Sequence, residues 1–394
     1  MLNENLKFSI LIHYSEIGLK KNNRSYFERL FIKNISNHIL DLKHQRIRLI
    51  SARVFIKNID LKDWHIYKDR LKKVMGLSSA VLMIETPSKY SSIKDAVHYL
   101  IQNQDFESFR ITTKRHSKGF KKTSIQTNID LGSSIQEKTN KRVKLSGADL
   151  NIIIEILKDK SYIGYDKIIG FGGLPAKSQE KAISLISSGI DSPVASFEMI
   201  KRGVNVSFIH FHSYPATSKQ SIDNVKELIE ILSNYQLETT LYCIPLLDIQ
   251  EKIMANIPDK FWVIFFRRAM LKIANLFAMK NKNHAIITGD SIGQVASQTI
   301  SNIRAVSDAS ALPILRPLAG MNKDEIINKA KIIGTYESSI KPYQDCCSYF
   351  VPIHPETKAK IGEVLNLDSK LNLDEEYNAA LTKIEKFKIK FLGE

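Results

Sequence analysis

The first part of the chain alternates between strand-like and helix-like spacing of hydrophobic positions, in short segments. Strands are predicted at 6–13, 46–57 and 80–84, and helices at 23–40 and 62–75. A second group follows, with helices predicted at 92–102 and 124–139 and strands at 109–113, 152–157 and 161–169. Short, βαβ-rich elements of this kind predict an α+β fold.

A Gly- and Pro-rich segment, 170–178, shows neither the spacing of a strand nor that of a helix and is predicted to be a linker. Beyond it, strands and helices alternate, which predicts an α/β domain with a doubly wound parallel sheet. The predicted strands are 182–187, 204–210, 239–244 and 284–288, and the predicted helices are 193–202, 219–234, 262–280 and 323–333. The polar tail, 356–394, is expected to be helical and to add no further domain.

The formal net charge of +16 is unevenly distributed along the 394 residues. Residues 1–175 contain 31 Lys and Arg against 17 Asp and Glu, whereas 176–394 contain 26 against 24. A basic first part and a near-neutral second part predict a polyanion-binding region joined to a module with another task. The sequence shows no apolar run of membrane-spanning length and no signal peptide, so we expect a cytoplasmic protein without membrane contact.

The most informative segment is 183–195, where an apolar strand ends in small residues and a helix begins. Ser192 is predicted to cap this helix and Pro193 to lie in its first turn. Such a corner directs backbone N–H groups and a helix dipole at one spot, which suits phosphate. Residues 187–192 read S-x-G-x-D-S, typical of pyrophosphate loops in enzymes that cleave ATP between the α and β phosphates. Small residues between a strand and a helix also occur in α/β proteins without this function.

Three predicted strands end in polar segments that should face one crevice, namely 187–192, 210–213 and 288–299. His210 and His212 alternate along a strand and point to opposite faces, which favours structural or ligand-lining histidines over a metal site. No dedicated metal site is therefore predicted. Arg267 and Arg268 lie on an apolar helix, where one can face the crevice and the other solvent. Each arginine could contact a phosphate of the nucleotide or form a salt bridge within the protein.

The chain has three cysteines, too few for a disulfide scaffold. Cys346 and Cys347 are adjacent and poorly placed to pair with each other. Each is either a nucleophile for sulfur or redox chemistry or a small buried apolar residue. Cys243 lies in an apolar strand and is expected in the core.

Segment 110–122 carries six positive side chains around Phe120, a pattern that suits an RNA backbone. A smaller basic group lies near the start of the chain. A solvated surface is the alternative for both, but the overall excess of positive charge favours RNA. The predicted RNA-binding residues are Lys20, Lys21, Arg24, Arg110, Lys114, Arg115, Lys118, Lys121 and Lys122.

Several motifs occur together along most of the chain, at 14–20 with 23–24 and 27–28, and at 170–175, 187–192, 206–213, 288–299, 316–323 and 345–347. In this combination the sequence resembles the tRNA uracil-4 sulfurtransferases, also called tRNA 4-thiouridine synthetases. The resemblance implies an N-terminal ferredoxin-like domain, a tRNA-binding THUMP domain and a pyrophosphatase-loop ATP domain. The expected bounds are 1–60, 61–168 and 178–394, with a linker at 169–177.

The resemblance also implies an activity. ATP would activate O4 of uridine 8 in tRNA as an adenylate and release pyrophosphate, and sulfur from a persulfide would then displace AMP. A cysteine desulfurase or another persulfide donor would supply the sulfur, and some members also serve thiazole synthesis for thiamine. Mg²⁺ is expected with ATP, and a homodimer is compatible with the sequence.

The same resemblance assigns roles to individual residues. Asp191 and Lys323 would act in catalysis, the lysine by neutralising charge that develops on phosphate. Cys346 would take part in sulfur transfer, although Cys347 is open as the persulfide carrier. The positions implied to bind ATP are Leu185, Ile186, Ser187, Gly189, Ser192, His210, Phe211, Arg267, Gly289 and Gln298.

Two departures from the family pattern bear on function. Ser188 stands where the loop usually has glycine, and would cost on the order of 1 kcal/mol if that position needs positive φ. The C-terminal rhodanese domain that some members carry is not expected here, so the sulfur carrier would be Cys346, Cys347 or a separate protein. The alternatives are another ATP pyrophosphatase, such as an amidating ligase or 2-thiolating enzyme, and a non-catalytic RNA-binding protein whose loop has decayed.

Overall fold

The computed structural model describes residues 7–342, 350 and 352–391. The chain divides into two compact units after Gly173, within the segment predicted to be a linker. In the described part of the chain, no helix combines the length and the apolarity that crossing a membrane requires.

The strands of the first unit form a single sheet in the order β2-β3-β1-β4-β8-β7-β5-β6, with β9 pairing with β4. They are β1 (Phe8–Tyr14), β2 (Arg46–Ile50), β3 (Arg53–Ile59), β4 (Leu77–Pro87), β5 (Ser108–Arg115), β6 (Arg142–Val143), β7 (Leu150–Ile156), β8 (Lys160–Gly164) and β9 (Lys167–Ile169). The helices are α1 (Arg24–His38), α2 (Trp64–Lys72), α3 (Tyr90–Ile101) and α4 (Ser124–Thr139). Short 3₁₀ turns lie at Glu16–Leu19, Lys21–Asn23 and Leu61–Asp63.

The order β2-β3-β1-β4, with α1 and α2 as crossovers, is a ferredoxin-like arrangement of antiparallel strands. The sheet continues beyond this arrangement, because the edge of β4 that faces away from β1 pairs with β8 and β9. Beyond β8, strand β7 is antiparallel to β8 and parallel to β5. The two predicted α+β groups therefore share one continuous sheet.

One predicted strand, 46–57, is in fact a hairpin of β2 and β3. The turn residues Ser51 and Ala52 have φ values of 47° and 62°. A tight hairpin turn with two positive φ values is usually signalled by Asn-Gly or Asp-Gly. Ser-Ala carries no such signal, which explains why the prediction of a single strand was wrong.

The second unit contains a six-stranded sheet in the order β14-β13-β10-β11-β12-β15. The strands are β10 (Lys181–Leu185), β11 (Asn205–His212), β12 (Glu238–Pro245), β13 (Ala285–Ile287), β14 (Ile314–Leu315) and β15 (Glu385–Lys390). The helices are α5 (Asp191–Lys201), α6 (Gln220–Gln236), α7 (Leu247–Asn256), α8 (Trp262–Lys280), α9 (Ile300–Ser307), α10 (Lys323–Ile333), α11 (Tyr336–Ser339), α12 (Ile361–Asp368) and α13 (Asp374–Thr382). Short 3₁₀ turns lie at Asp259–Phe261 and Ala296–Gln298.

Strands β10 to β14 are parallel, which confirms the predicted doubly wound sheet. The chain runs outward from β10 to β11 and β12 on one side, and the later strands β13 and β14 lie on the other. The strand order therefore reverses between β10 and β13. In open α/β sheets, ligands bind beyond the carboxyl ends of the strands at such a switch point.

The C-terminal tail is only partly helical. Helices α12 and α13 agree with the prediction, but β15 pairs antiparallel with β12 at the sheet edge. Phe387 and Ile389 in β15 are half-buried, whereas the alternating Lys386, Lys388 and Lys390 are exposed. This period of two is a strand signal that the overall polarity of the tail concealed.

Candidate active site

The loop between β10 and α5 forms a tight corner at the switch point. The Ser187 N–H donates to Ser192 Oγ at 2.9 Å, and the Ser192 hydroxyl contacts Ser187 O at 3.2 Å. Ser192 therefore stabilises the corner through these hydrogen bonds. It lies inside α5, which begins at Asp191, so its predicted role as helix cap is wrong. In the described structure the residue that precedes α5, Ile190, makes no side-chain cap. The first N–H groups of α5 are thus left for an anion, which suits phosphate.

Asp191 opens α5 and contacts two side chains from later in the chain. Its carboxylate accepts hydrogen bonds from Lys323 Nζ at 2.6 Å and from Gln294 Nε2 at 2.9 Å. The Asp191 side chain is 22% exposed and that of Lys323 is 43% exposed, so both can reach a ligand. The structure brings together two of the three predicted catalytic residues, Asp191 and Lys323, and adds Gln294, which lies within the 288–299 motif.

Lys323 is positioned by a capping box at the start of α10. Asn322 Oδ1 accepts from the Glu325 N–H at 2.9 Å, and Glu325 Oε2 accepts from the Asn322 N–H at 2.8 Å. This reciprocal pair satisfies two otherwise free donors and fixes where the helix begins. The side chain of its first residue, Lys323, is thereby held beside Asp191.

Gly289 follows β13 and lies against the start of α5. A Cβ atom built at this glycine would lie 2.8 Å from Ser192 N and 3.0 Å from Asp191 C. These contacts are with backbone, which cannot move aside like a flexible side chain. A glycine is therefore required here for the loop after β13 to close on the corner.

Asp290 is buried and joins three elements around the crevice. Its carboxylate accepts from Thr288 Oγ1 at 2.9 Å and from Arg316 Nε at 3.0 Å, and it forms an ion pair with Arg267. Burial alone raises the pKa of Asp290, but the two guanidinium groups and the Thr288 hydroxyl hold it below its ordinary value. Arg267 also donates to Ser297 O at 3.0 Å, which ties the loop after β13 to α8.

His210 is buried and neutral, and it supports the predicted adenine side of the site. Its Nδ1 lies 3.0 Å from Ile186 O, so Nδ1–H donates to that carbonyl, and burial lowers its pKa to about 4. Leu185 and Ile186 lie at the end of β10, and Phe211 is 5% exposed in β11. The predicted ligand-lining residues thus meet at adjoining strand ends. Among the described residues, no group of three or more His, Cys, Asp or Glu could hold a metal ion.

Three buried polar atoms near the corner have no hydrogen-bond partner in the described part of the chain. They are Ser188 Oγ, Gln294 Oε1 and Gln298 Oε1. Buried polar atoms are normally hydrogen-bonded, so three unpartnered ones around this strand-end crevice suit a ligand site. Neither Ser188 nor Gly189 has a positive φ. The cost considered for serine at position 188 therefore does not arise.

Arg268 does not face solvent, and the structure bears out the salt-bridge alternative for it. Its side chain is 3% exposed and forms ion pairs with Asp368 at 3.0 Å and Asp308 at 3.3 Å. It therefore joins α8 to α12, while Arg267 faces the crevice. Cys243 is fully buried as predicted, and burial raises the pKa of its thiol to about 12. Cys346 and Cys347 lie outside the described residues.

The predicted RNA-binding residues of the first unit differ in what they contact. In the group 110–122, which spans the end of β5 and the loop before α4, Arg115 donates to Phe120 O at 3.0 Å and to Lys122 O at 3.2 Å. Lys118 and Lys121 are exposed on the loop that Arg115 holds. Lys21 is exposed in the 3₁₀ turn Lys21–Asn23. The other five contact neighbours: Arg110 with Thr112 and Leu145 O, Lys114 with Glu155, Lys122 with Asp130, Arg24 with Glu28 and Tyr14, and Lys20 with the ring of Phe27.

Comparison with known proteins shows which family this chain is similar to. The model described as "Thiamine biosynthesis protein (ThiI)" matches residues 177–373, the "ThiI ferredoxin-like domain" 9–80 and the "THUMP domain" 88–166. A "Probable tRNA sulfurtransferase" of Alkaliphilus oremlandii (strain OhILAs) is 38% identical over 96% of this chain and 98% of that protein. One from Finegoldia magna (strain ATCC 29328 / DSM 20472 / WAL 2508) is 37% identical over 98% of this chain and 100% of that protein.

Solved structures agree with these relatives. A structure described as a "4-thiouridine synthetase - RNA complex with bound ATP" superposes with a TM-score of 0.86 and 31% identity, covering 98% of this chain and 100% of that one. A second, of PH1313 from Pyrococcus horikoshii Ot3, has a TM-score of 0.62 at 21% identity, covers 83% of this chain and 99% of that one, and supports the fold alone.

Fold and site together define an α/β domain of the ATP pyrophosphatase type, preceded by ferredoxin-like and THUMP domains. The predicted fold class is thus confirmed. The chain belongs to the ThiI family. A relative that is 38% identical to it over nearly its whole length is named a probable tRNA sulfurtransferase.

Proposed function

We propose that this chain is an ATP-dependent tRNA sulfurtransferase that forms 4-thiouridine at position 8 of tRNA. The observation that carries the proposal is the pairing of Asp191 with Lys323 at the open N-terminus of α5. Family membership and the likeness to an ATP-bound 4-thiouridine synthetase support the same activity.

ATP binds in the crevice with its phosphates against the corner at 187–192. The first N–H groups of α5 and the helix dipole stabilise the β and γ phosphates. Arg267 and Gln298 contact the nucleotide, and Leu185, Ile186 and Phe211 surround the adenine. Mg²⁺ commonly binds through phosphate oxygens and one or two carboxylates, and Asp191 is placed to supply one.

In the first step, O4 of the target uracil attacks the α-phosphorus of ATP. The bond from that phosphorus to the bridging oxygen breaks, and pyrophosphate leaves with its electrons. Negative charge that develops on the phosphates favours a cation, so Lys323 exchanges its contact with Asp191 for one with phosphate. The corner retains the pyrophosphate until the adenylated uracil has formed.

In the second step, the terminal sulfur of a persulfide attacks C4 of the uracil, and AMP leaves with the former O4. A free thiol, such as that of cysteine, then attacks the carrier sulfur and breaks the S–S bond, so that the terminal sulfur stays on C4 and the carrier cysteine ends in a disulfide. We assign this role to Cys346, in line with the family resemblance, and take the persulfide to come from a cysteine desulfurase. A homodimer, a cytoplasmic location and a sulfur-carrier role in thiamine synthesis remain predictions from the sequence. The THUMP domain and the RNA-bound relative support tRNA as the partner.

The test is mass analysis of nucleosides from unmodified tRNA incubated with the protein, ATP, Mg²⁺, a cysteine desulfurase and cysteine. We expect 4-thiouridine only when ATP is present, and none in a tRNA whose uridine 8 is replaced by cytidine. Thiolation at another position would favour a different tRNA-thiolating pyrophosphatase. ATP binding without any thiolation across all persulfide donors tried would contradict the proposed activity.

A further inference from the structure

A cavity of about 350 Å³ lies at the end of the second unit's sheet that is opposite the active site. Its wall includes Lys181, Asn205 and Glu238, which are the first residues of β10, β11 and β12. The corner at 187–192 follows the other end of β10, so the two sites are separated by the length of that strand. The proposed thiolation reaction uses no residue of this cavity.

The wall of the cavity is strongly basic. Four lysines line it, Lys177, Lys181, Lys388 and Lys390, against the single carboxylate of Glu238. Lys177 Nζ contacts Glu238 Oε1 at 2.9 Å. The pKa of Glu238 is held below its ordinary value by Lys177 first and then by Lys390 and Lys388. The positive charges of these lysines therefore all act on groups within the cavity.

The floor of the cavity is apolar and aromatic. Ile183 is fully buried, and the rings of Tyr242 and Phe277 meet with their centroids 4.5 Å apart. Asn281 and Asn283 also line the space. Lysines supply point charges that suit phosphate, and aromatic rings supply area for a flat organic group. This combination suits a phosphate ester better than a bare inorganic ion.

The size of the space limits the ligand. Cavities of roughly 300–1,000 Å³ enclose small organic ligands, and this one lies at the lower end of that range. One wall is β15, which follows residue 373, where the match to the ThiI family model ends. We propose that this cavity is a second ligand site, which binds a free phosphate ester of about mononucleotide size.

The experiment is a calorimetric titration of UMP into the full chain saturated with a non-hydrolysable ATP analogue, which occupies the crevice. We expect saturable binding of UMP at a further site. Replacement of Lys388 and Lys390 together by alanine should weaken that binding by about tenfold or more, because two charge-assisted contacts are lost. Lys181→Ala, which alters β10 instead of β15, should weaken it as well.

The control is Lys370→Ala, because Lys370 is an exposed lysine of the second unit that does not line the cavity. It should leave UMP binding unchanged, and the thermal unfolding curve of each variant shows whether it folds. No UMP binding by the unaltered protein would overturn the proposal, as would equal weakening by the control. If the double variant lowers affinity for tRNA while UMP does not bind, the lysines contact RNA backbone and the proposed free ligand is wrong.

Discussion

At the scale of single residues, the proposed function depends on a few groups that the fold brings together from distant parts of the chain. Asp191 and Lys323 are 132 positions apart and meet at 2.6 Å. The pyrophosphate-loop pattern and the family resemblance identified both residues. Their pairing needed the structure, because it depends on where the capping box of Asn322 and Glu325 starts α10.

Asp191→Asn tests this pair. The amide keeps the size of the side chain but loses the charge that holds Lys323 and would bind Mg²⁺. We expect ATP-dependent release of pyrophosphate in the presence of tRNA to fall at least about a hundredfold, the scale of losing one preorganised electrostatic contact. Affinity for tRNA, measured by filter binding, should stay unchanged. Full thiolation by this variant would contradict the assignment.

Gly289→Ala tests the close approach of β13 to α5. The added methyl group meets Ser192 N and Asp191 C, so the corner has to shift and ATP should bind at least about tenfold more weakly. Calorimetric titration with an ATP analogue measures this effect. The control is Gly320→Ala, since a Cβ atom at Gly320 meets nothing within 4 Å. Equal ATP affinities in both variants would show that the contact at Gly289 does not matter.

At the scale of elements, long segments with clear hydrophobic periodicity were predictable. Short segments, and segments whose composition concealed their periodicity, were not. Helix 262–280 and helix 323–333 agree with their predicted bounds. The Ser51-Ala52 hairpin and strand β15 were missed, since the first lacks turn residues and the second has a polar composition. The burial of Arg268 could not be predicted, because its ion-pair partners, Asp308 and Asp368, are far away in sequence.

In the first unit, one buried carboxylate connects several strands. Glu155 in β7 is fully buried, and Arg53 Nε of β3 lies 3.2 Å from its Oε2. The side chains of His13, Lys114 and His116 also contact it. Burial raises the pKa of Glu155, but its contact with His13 and the charge of Arg53 hold it below the ordinary value. The carboxylate thus connects strands of the ferredoxin-like part, β1 and β3, with those of the THUMP part.

Glu155→Gln should destabilise the first unit by about 3–5 kcal/mol, because the cations lose a buried partner. A carboxyl group with a lowered folded-state pKa stabilises above its unfolded pKa, and this stability disappears as pH falls through the folded pKa. The unaltered protein should therefore lose stability below about pH 4.3, and the variant should lose less over the same range. Urea unfolding at several pH values measures both, with exposed Glu137→Gln as control. A variant with unchanged stability would contradict the role of Glu155.

At the scale of the whole molecule, charge and chemistry are divided between the two units. The basic residues that the sequence assigns to RNA lie in the first unit, and the ATP crevice lies in the second. The asymmetry of charge was evident from the sequence alone. Which of the basic side chains remain free to contact RNA was not evident, because Arg115 binds a carbonyl of its own loop and Lys122 pairs with Asp130 of α4.

Replacing Lys118 and Lys121 by alanine should weaken tRNA binding at every salt concentration. Each lost phosphate contact should reduce the slope of log affinity against log salt by about 1. Filter binding across a series of KCl concentrations measures this slope. Lys370→Ala, an exposed lysine of the second unit, serves as control. An unchanged slope in the double variant would mean that this loop does not contact RNA.

The most direct test of the central claim, that the crevice joins uracil O4 to AMP, follows one oxygen atom. A tRNA carrying ¹⁸O at O4 of uridine 8 is thiolated to completion, and the AMP released is analysed by mass spectrometry. The account predicts that the ¹⁸O appears in the phosphate of AMP, in an amount equal to the 4-thiouridine formed. Complete thiolation with unlabelled AMP would contradict it.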